Sequence, residues 1–133
     1  MVNFLTGFTE RQKAIVLERD GQKCPICGQR AREVNHRANR GSGGFLAGNR
    51  LSNACVICWI CNGLIESDPE FADLARSRGV KLSRYADPLA VPYLHPIYGV
   101  EVWLDDTGSF SFDAPVGVPA LDSPETKMPP ATA

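Results

Sequence analysis

Four cysteines, arranged as the pairs Cys24/Cys27 and Cys58/Cys61, are the residues of this 133-residue chain whose types and spacing best suit chemistry. A Cys-x-x-Cys pair presents two sulfurs at a single turn, and two pairs separated by a long insert are typical of a tetrahedral zinc site. Here the insert is 30 residues long. The spacing therefore predicts a structural zinc ion held by four thiolates. The fifth cysteine, Cys55, is not needed for this site, and we predict that it is a small buried thiol.

Taken alone, the first pair is also typical of a thiol redox motif, in which Cys24 would be the reactive thiol. That alternative requires a βαβ context and leaves the second pair without a role. A redox protein therefore remains the weaker hypothesis for these cysteines.

Length and composition predict an ordinary globular domain. The chain is 44% hydrophobic and 22% charged, and it contains no apolar run long enough to cross a membrane. Because the N-terminus lacks the features of a signal peptide, we expect a cytoplasmic location, where cysteines bind metal more often than they form disulfides. We predict one domain over residues 1–114. The segment 115–133, rich in Pro, Ala, Ser and Thr, is expected to be a disordered tail.

Charge is distributed unevenly along the chain. The net charge is −1, yet residues 23–50 contain six basic residues and one acidic residue, whereas residues 64–133 contain five basic and eleven acidic. A local basic band in a neutral protein can contact phosphates, so nucleic acid is a candidate partner. A solvated basic loop is the alternative.

The pattern of capping residues, apolar spacing and glycines predicts an α+β fold. A capping box at Thr9 begins a helix that ends at Asp20-Gly21 and is expected to pack against the first cysteine pair. A strand, a glycine-rich loop, a second strand or turn and a helix should follow, and their expected bounds are 32–36, 37–49, 51–54 and 58–66. The C-terminal part predicts a helix from Pro69 to Gly79, a strand over 80–85 and a β-hairpin over 99–112.

The segment between and around the cysteine pairs resembles the HNH endonucleases, the ββα-metal nucleases, and in particular their zinc-stapled phage branch. The family motif has a metal ligand followed by His at the end of a strand, an Asn after a glycine-rich loop, and a His or Asn opening a helix. These positions correspond to Asn35-His36, Asn53 and Asn62, with Gly43-Gly44 in the loop. The resemblance spans roughly residues 10–112. It implies a ββα-metal (His-Me finger) core with an N-terminal helix and a C-terminal helix plus hairpin.

The resemblance also implies the role of each site residue. His36 would be the general base that activates water, and Asn53 would brace the loop and help to orient that base. Asn35 and Asn62 would bind a catalytic divalent ion. Glu66, four residues after Asn62 on one helix, can face the same ion.

Oxygen ligands favour Mg²⁺ or Mn²⁺ over zinc at this second site. Asn35 departs from the family's usual Asp or His, and Glu66 would supply the missing negative charge. Arg37 and Arg40 flank the base and are predicted to contact DNA phosphates. Trp59 is predicted to be part of the core, with a platform for base stacking as the alternative, and His95, which stands without an evident partner, is predicted to be structural.

The predicted function is therefore metal-dependent hydrolysis of DNA phosphodiester bonds. The phage relatives imply a role in DNA processing or packaging beside a terminase. A non-catalytic zinc module that binds DNA or protein is the alternative, and it would require the four cysteines and the basic loop but not His36 or Asn62.

Overall fold

A computed structural model describes residues 7–39 and 49–117 of the chain. The elements in chain order are α1 (Glu10–Asp20), β1 (Glu33–His36), a 3₁₀ turn (Leu51–Asn53), β2 (Ala54–Ile57), α2 (Trp59–Ser67), α3 (Pro69–Ser77), β3 (Tyr93–Leu94), β4 (Glu101–Leu104) and β5 (Phe110–Ser111). Three helices and two small sheets confirm the predicted α+β class. Within the described ranges, no helix has the length and apolar character needed to cross a membrane.

Helix α1 begins with the predicted capping box. The Thr9 hydroxyl accepts the Gln12 backbone N–H at 3.0 Å, and the Gln12 side-chain oxygen accepts the Thr9 N–H at 2.9 Å. These bonds satisfy N–H groups that the first turn leaves without helical partners. The helix ends at Gly21, whose φ of 68° is the left-handed conformation that glycine adopts without strain. Val16, fully buried, shares one core cluster with Cys24, so α1 does pack beside the first cysteine pair.

Strands β1 and β2 form an antiparallel pair in which Asn35 lies opposite Cys55 and His36 lies opposite Ala54. All four residues of β2 are buried, and the strand runs directly into Cys58, which caps α2. The predicted order of two strands followed by a helix is therefore confirmed, whereas residues 40–48 of the predicted loop between the strands lie outside the described residues. For residues 51–54 the predicted alternative of a turn is the one that forms, since Leu51–Asn53 is a 3₁₀ turn, and the second strand begins at Ala54.

The predicted strand over residues 80–85 does not form. Val80 and Leu82 are buried in alternation, as in a strand, but the chain turns at Ser83, whose hydroxyl accepts the Tyr85 N–H at 3.2 Å. The Leu82 N–H instead donates to the carbonyl oxygen of Arg37 at 2.8 Å. This contact places the segment beside the chain that leaves β1.

The C-terminal part contains the predicted helix and hairpin. Asp68 caps α3, and Pro69 occupies its first turn. Strands β4 and β5 pair as predicted, and β3, which was not predicted, adds a third strand in the order β3-β4-β5. From residue 118 onward the predicted tail lies outside the described residues, as do Arg40 and Gly43-Gly44 in the glycine-rich loop.

Candidate functional site

The structure brings together the four cysteines that were predicted to bind zinc. Their sulfur atoms all lie within 4.8 Å of one another, and those of Cys27 and Cys58 are 3.7 Å apart. All four are free thiols. Within residues 7–39 and 49–117, this is the one group of three or more His, Cys, Asp or Glu side chains close enough to hold a metal ion. Four sulfurs at this spacing fit a tetrahedral zinc ion.

Backbone N–H groups point at two of these sulfurs. The Ile26 N–H lies 3.4 Å from the Cys24 sulfur, and the Cys61 N–H lies 3.3 Å from the Cys58 sulfur. Burial raises the pKa of Cys24, but backbone hydrogen bonds outweigh it and hold that pKa below its ordinary value. Burial and the neighbouring sulfurs raise the pKa of Cys61. A divalent cation bound among these sulfurs would favour their thiolate forms.

The redox alternative does not find the context that it requires. In the described residues between Cys27 and β1, the chain forms turns and a single β-bridge between Lys23 and Arg30 rather than a helix. The sulfurs of both pairs also lie in one cluster. These observations favour metal binding over thiol redox chemistry.

His36 ends β1, and its imidazole is half-buried. Its Nε2 atom lies 2.7 Å from the side-chain oxygen of Asn49. The Asn49 side-chain nitrogen donates to the Gly7 carbonyl at 3.0 Å, which turns the amide oxygen towards the imidazole. Because an amide oxygen can only accept, Nε2 carries the ring proton in the neutral imidazole. Nδ1 of His36 is therefore the basic nitrogen.

The beginning of α1 positions this imidazole. The ring of Phe8, directly before the helix cap, stacks on His36 with centroids 4.4 Å apart. Gln12, the capping-box residue, donates from its side chain to the Asn49 carbonyl at 2.9 Å. Sequence reasoning missed Phe8 and Asn49, and it gave α1 only a supporting role at the cysteine pair. The capping box was the available signal, because it fixes where the chain before α1 must lie.

Asn53 is buried, and its side chain hydrogen-bonds to the backbone that follows β1. Its side-chain oxygen accepts the Ala38 N–H at 2.8 Å, and its side-chain nitrogen donates to the Ala38 carbonyl at 3.0 Å. The Asn53 carbonyl also accepts the Arg37 N–H at 2.8 Å. These bonds are of the loop-bracing kind that the family resemblance implies for this position.

The three residues predicted to bind a catalytic ion lie on β1 and α2. Asn62 is half-buried and Glu66 is exposed, one turn apart on α2. Asn35 is half-buried and directly precedes His36 in β1. Consecutive residues of a strand leave opposite faces of a sheet, and His36 is the last residue of β1. The side chains of Asn35 and His36 can therefore reach one site only where the strand ends. Their role as ligands stays a prediction.

The prediction that Arg37 contacts DNA is wrong. Its side chain is 1% exposed. Burial lowers the pKa of Arg37 to about 10, so the group still carries its charge at neutral pH. The guanidinium donates to four backbone carbonyls, those of Gly79, Ser52, Pro88 and Val91, at 2.7, 2.8, 3.1 and 2.8 Å. Arg37 therefore joins the loops on this side of the molecule and is not accessible to a phosphate.

Replacing Arg37 with Ala should destabilise the protein by about 3 kcal/mol or more, because buried carbonyls would lose their donors. Urea unfolding monitored by circular dichroism measures this loss. The matched control is Arg32→Ala, an exposed arginine whose removal should change stability by about 0.5 kcal/mol or less. Equal stability for Arg37→Ala and wild type would contradict the structural role.

A second buried polar network joins α1 to β2 and β3. The Asp20 carboxylate pairs with the Arg19 guanidinium at 2.7 Å, accepts the Tyr93 hydroxyl at 2.8 Å and accepts the Val56 N–H at 3.1 Å. His95, predicted to be structural, is buried and does have a partner, since its Nε2 donates to the Arg19 carbonyl at 2.8 Å. A buried carboxylate with an arginine and two further donors is a satisfied structural group.

The prediction that Trp59 belongs to the core is also wrong. It is the first residue of α2 and its side chain is 71% exposed. The buried side of α2 carries Cys61 and Ile65. Trp59 lies on the opposite side of the helix from these two residues, and its side chain faces solvent.

The chain was compared with protein-family models, with curated proteins and with solved structures, and none of them matches it.

Proposed function

We propose that this protein is a metal-dependent DNA endonuclease of the HNH, or ββα-metal, type. The observation that carries the proposal is His36 at the end of β1, with its Nδ1 left basic by the bond between Nε2 and Asn49. Further support comes from Asn53, which braces the loop beside it, and from the four-cysteine cluster at the start of α2.

In this mechanism His36 accepts a proton from the attacking water at Nδ1. Asn49 keeps the proton on Nε2 and holds the plane of the ring, while stacking on Phe8 restricts its rotation. The base is thus oriented before substrate binds, which lowers the cost of reaching the reactive geometry.

Asn35, Asn62 and Glu66 would hold a Mg²⁺ or Mn²⁺ ion through their oxygen atoms. When bound, the ion stabilises negative charge on the scissile phosphate and on the leaving 3′ oxygen. The products would carry 5′-phosphate and 3′-hydroxyl ends, as the resemblance to the HNH family implies.

The four cysteines would hold a structural zinc ion. Cys24 and Cys27 precede β1, whereas Cys58 caps α2 and Cys61 lies in its first turn. Joining the two pairs through one ion would fix α2 relative to β1. That junction determines how far Asn62 and Glu66 lie from His36, so the zinc site acts on catalysis through geometry.

Substitutions that change the charge of Asn35 and of Glu66 test directly whether these residues bind the catalytic ion. Asn35→Asp adds a carboxylate of the same length, so the Mn²⁺ concentration needed for half-maximal cleavage should fall, by about 10-fold for a tighter site. Glu66→Gln removes the one ionised ligand and should raise that concentration. Because both changes act on one ion, their effects should not be additive in the double variant.

Cleavage rate measured against Mn²⁺ concentration in the four proteins decides this point. Glu70→Gln is the matched control, since Glu70 is also exposed but lies on α3. If Glu66→Gln leaves the metal dependence at the wild-type value, or Asn35→Asp abolishes cleavage, then these residues are not the ligands.

The exposed Trp59 and Ile60 beside the cysteine cluster favour a second candidate, a non-catalytic zinc module that binds DNA or another protein. A terminase is the partner that the phage resemblance implies. This candidate predicts no divalent-ion-dependent cleavage, and it predicts that replacing His36 changes nothing that can be measured.

A further inference from the structure

A groove of about 280 Å³ lies at the start of α2, on the surface away from the core. Its lining residues are Arg30, Ala31, Arg32, Glu33, Cys58 and Trp59. Trp59, at 71% exposure, forms one wall. A tryptophan costs free energy when it is left in water, and nothing in the packing of α2 requires it at this position.

Trp59, which lines the groove, shares one side of α2 with two of the predicted metal ligands. Trp59, Asn62 and Glu66 are separated by three and four residues, which places them along one side of the helix, while Cys61 and Ile65 are buried on another. Residues three or four apart on a helix have Cβ atoms about 5–6 Å apart, so Asn62 is a direct neighbour of Trp59 on this side. A ligand in the groove would therefore lie next to a phosphate held near Asn62.

The surface between these residues is open. Gly63 lies on the same side of α2, and a Cβ atom added there would meet nothing within 4 Å. A polymer strand can thus pass close to the helix between Trp59 and the candidate ligands without displacing a side chain.

Two of the other residues that line the groove are basic. Arg30 and Arg32 are both exposed, and Lys23 lies beside Arg30 across a β-bridge. The Arg30 guanidinium is partly positioned by a 3.1 Å bond to the Gln22 side chain. Glu33 is the one acidic residue of the lining, so cations outnumber it. An exposed aromatic ring and arginines that line the same groove are complementary to a nucleobase attached to phosphates.

We propose that this groove binds an unpaired nucleotide of a DNA strand, with its base stacked on Trp59 and its flanking phosphates at Arg30 and Arg32. A base inside a duplex offers no free face to a side chain, so the occupant is single-stranded. The inference rests on the proposed nuclease function and narrows its substrate class. DNA with unpaired nucleotides next to the cleavage site, such as a branch or an overhang, should be bound better than uninterrupted duplex.

The experiment measures binding without cleavage. Zinc-loaded protein, without added Mg²⁺ or Mn²⁺, is titrated with a short oligothymidylate while tryptophan fluorescence is followed, since stacking quenches the indole. Trp59→Ala should raise the dissociation constant by roughly 5- to 150-fold, the measured range for loss of one stacking contact. Trp59→Phe should retain part of the affinity but lose the quenching, because Trp103 is then the remaining tryptophan.

Ile60→Ala is the matched control, because Ile60 is exposed and adjacent but does not line the groove. It should bind the oligonucleotide as wild type does. Zinc content is determined for every variant, so that damage at the neighbouring Cys58 is not mistaken for lost stacking. Arg30→Ala and Arg32→Ala should each lower the magnitude of the log–log salt dependence by about 0.7, the value for one phosphate contact on a single strand.

The outcomes separate this inference from the proposed function. If Trp59→Ala, with its zinc intact, binds oligothymidylate as wild type does, the groove is not a nucleotide site, even where His36-dependent cleavage is found. If wild type binds duplex and single strand equally and neither quenches its fluorescence, the inference also fails, and a protein partner becomes the better occupant. If quenching depends on Trp59 but the protein cuts no DNA, the nucleotide site in the groove is supported and the proposed nuclease function is contradicted.

Discussion

Replacing Cys61 with Ser should yield protein that contains no zinc and does not fold. Cys61 is buried and belongs both to the four-sulfur cluster and to the hydrophobic core. A structural four-cysteine site supplies on the order of 10 kcal/mol in small zinc-binding peptides, which is as large as the whole stability of a domain of this size. Metal analysis of the purified protein and circular dichroism measure the two losses, and wild type should contain one zinc per chain.

Cys55→Ala provides the matched control for this prediction. Cys55 is as buried as Cys24 and Cys61, but it lies in β2 outside the cluster. Burial raises its pKa to about 12, so without a bound metal it stays a neutral thiol at working pH. Its removal should cost about 1 kcal/mol and leave zinc bound. Well-folded, zinc-free Cys61→Ser protein would contradict the structural role of the site.

His36→Ala should lower the rate of DNA cleavage by roughly 10²- to 10⁴-fold, the usual contribution of a general base, while zinc content and DNA affinity stay at wild-type values. The imidazole lies at the end of β1, half-buried, so removing it should not unfold the sheet. Free imidazole added to the variant should restore part of the rate.

Asn49→Ala tests the positioning part of the same account. The variant keeps the imidazole but loses the acceptor that fixes the proton on Nε2. Loss of such a supporting contact typically costs 10- to 100-fold, so cleavage should fall by about this factor. Its pH profile should also change, whereas that of Ile60→Ala should not. If Asn49→Ala cleaves as fast as wild type, the assignment of Nδ1 as the basic nitrogen loses its support.

The four-cysteine cluster could be predicted from the sequence because each half of it is local. Two cysteines separated by two residues must lie at one turn, and this holds whatever the rest of the fold does. The capping box at Thr9 and the hairpin β4–β5 were predictable for the same reason. In each case the decisive contacts join residues a few positions apart.

The sequence could not predict Arg37 or Asn49, because their partners are distant along the chain. The carbonyls that surround the Arg37 guanidinium lie between 15 and 54 residues away, and the Gly7 carbonyl that orients Asn49 is 42 residues away. An arginine in a basic segment next to a candidate base looks like a phosphate contact until its burial is known. Only the tertiary fold decides between the two roles.

Trp59 was assigned wrongly for a different reason. It follows an apolar run from Ala54 to Ile57 and begins a helix of nine residues, a length at which apolar spacing determines the buried side poorly. The cysteine ligands settle the orientation of α2, since Cys61 must face the other three sulfurs. That constraint turns Trp59 to the surface, where it forms a wall of the groove proposed to bind a nucleotide.

The most direct test of the nuclease proposal is the conversion of supercoiled plasmid to nicked circles by zinc-loaded protein. Wild type and His36→Ala, purified in parallel, are incubated with plasmid in the presence of Mg²⁺, of Mn²⁺ or of neither ion. The account predicts nicking by wild type that requires a divalent ion and that falls at least 100-fold in His36→Ala, with equal zinc in both proteins. Nicking at equal rates in the two proteins, or none by wild type with either ion, would contradict it.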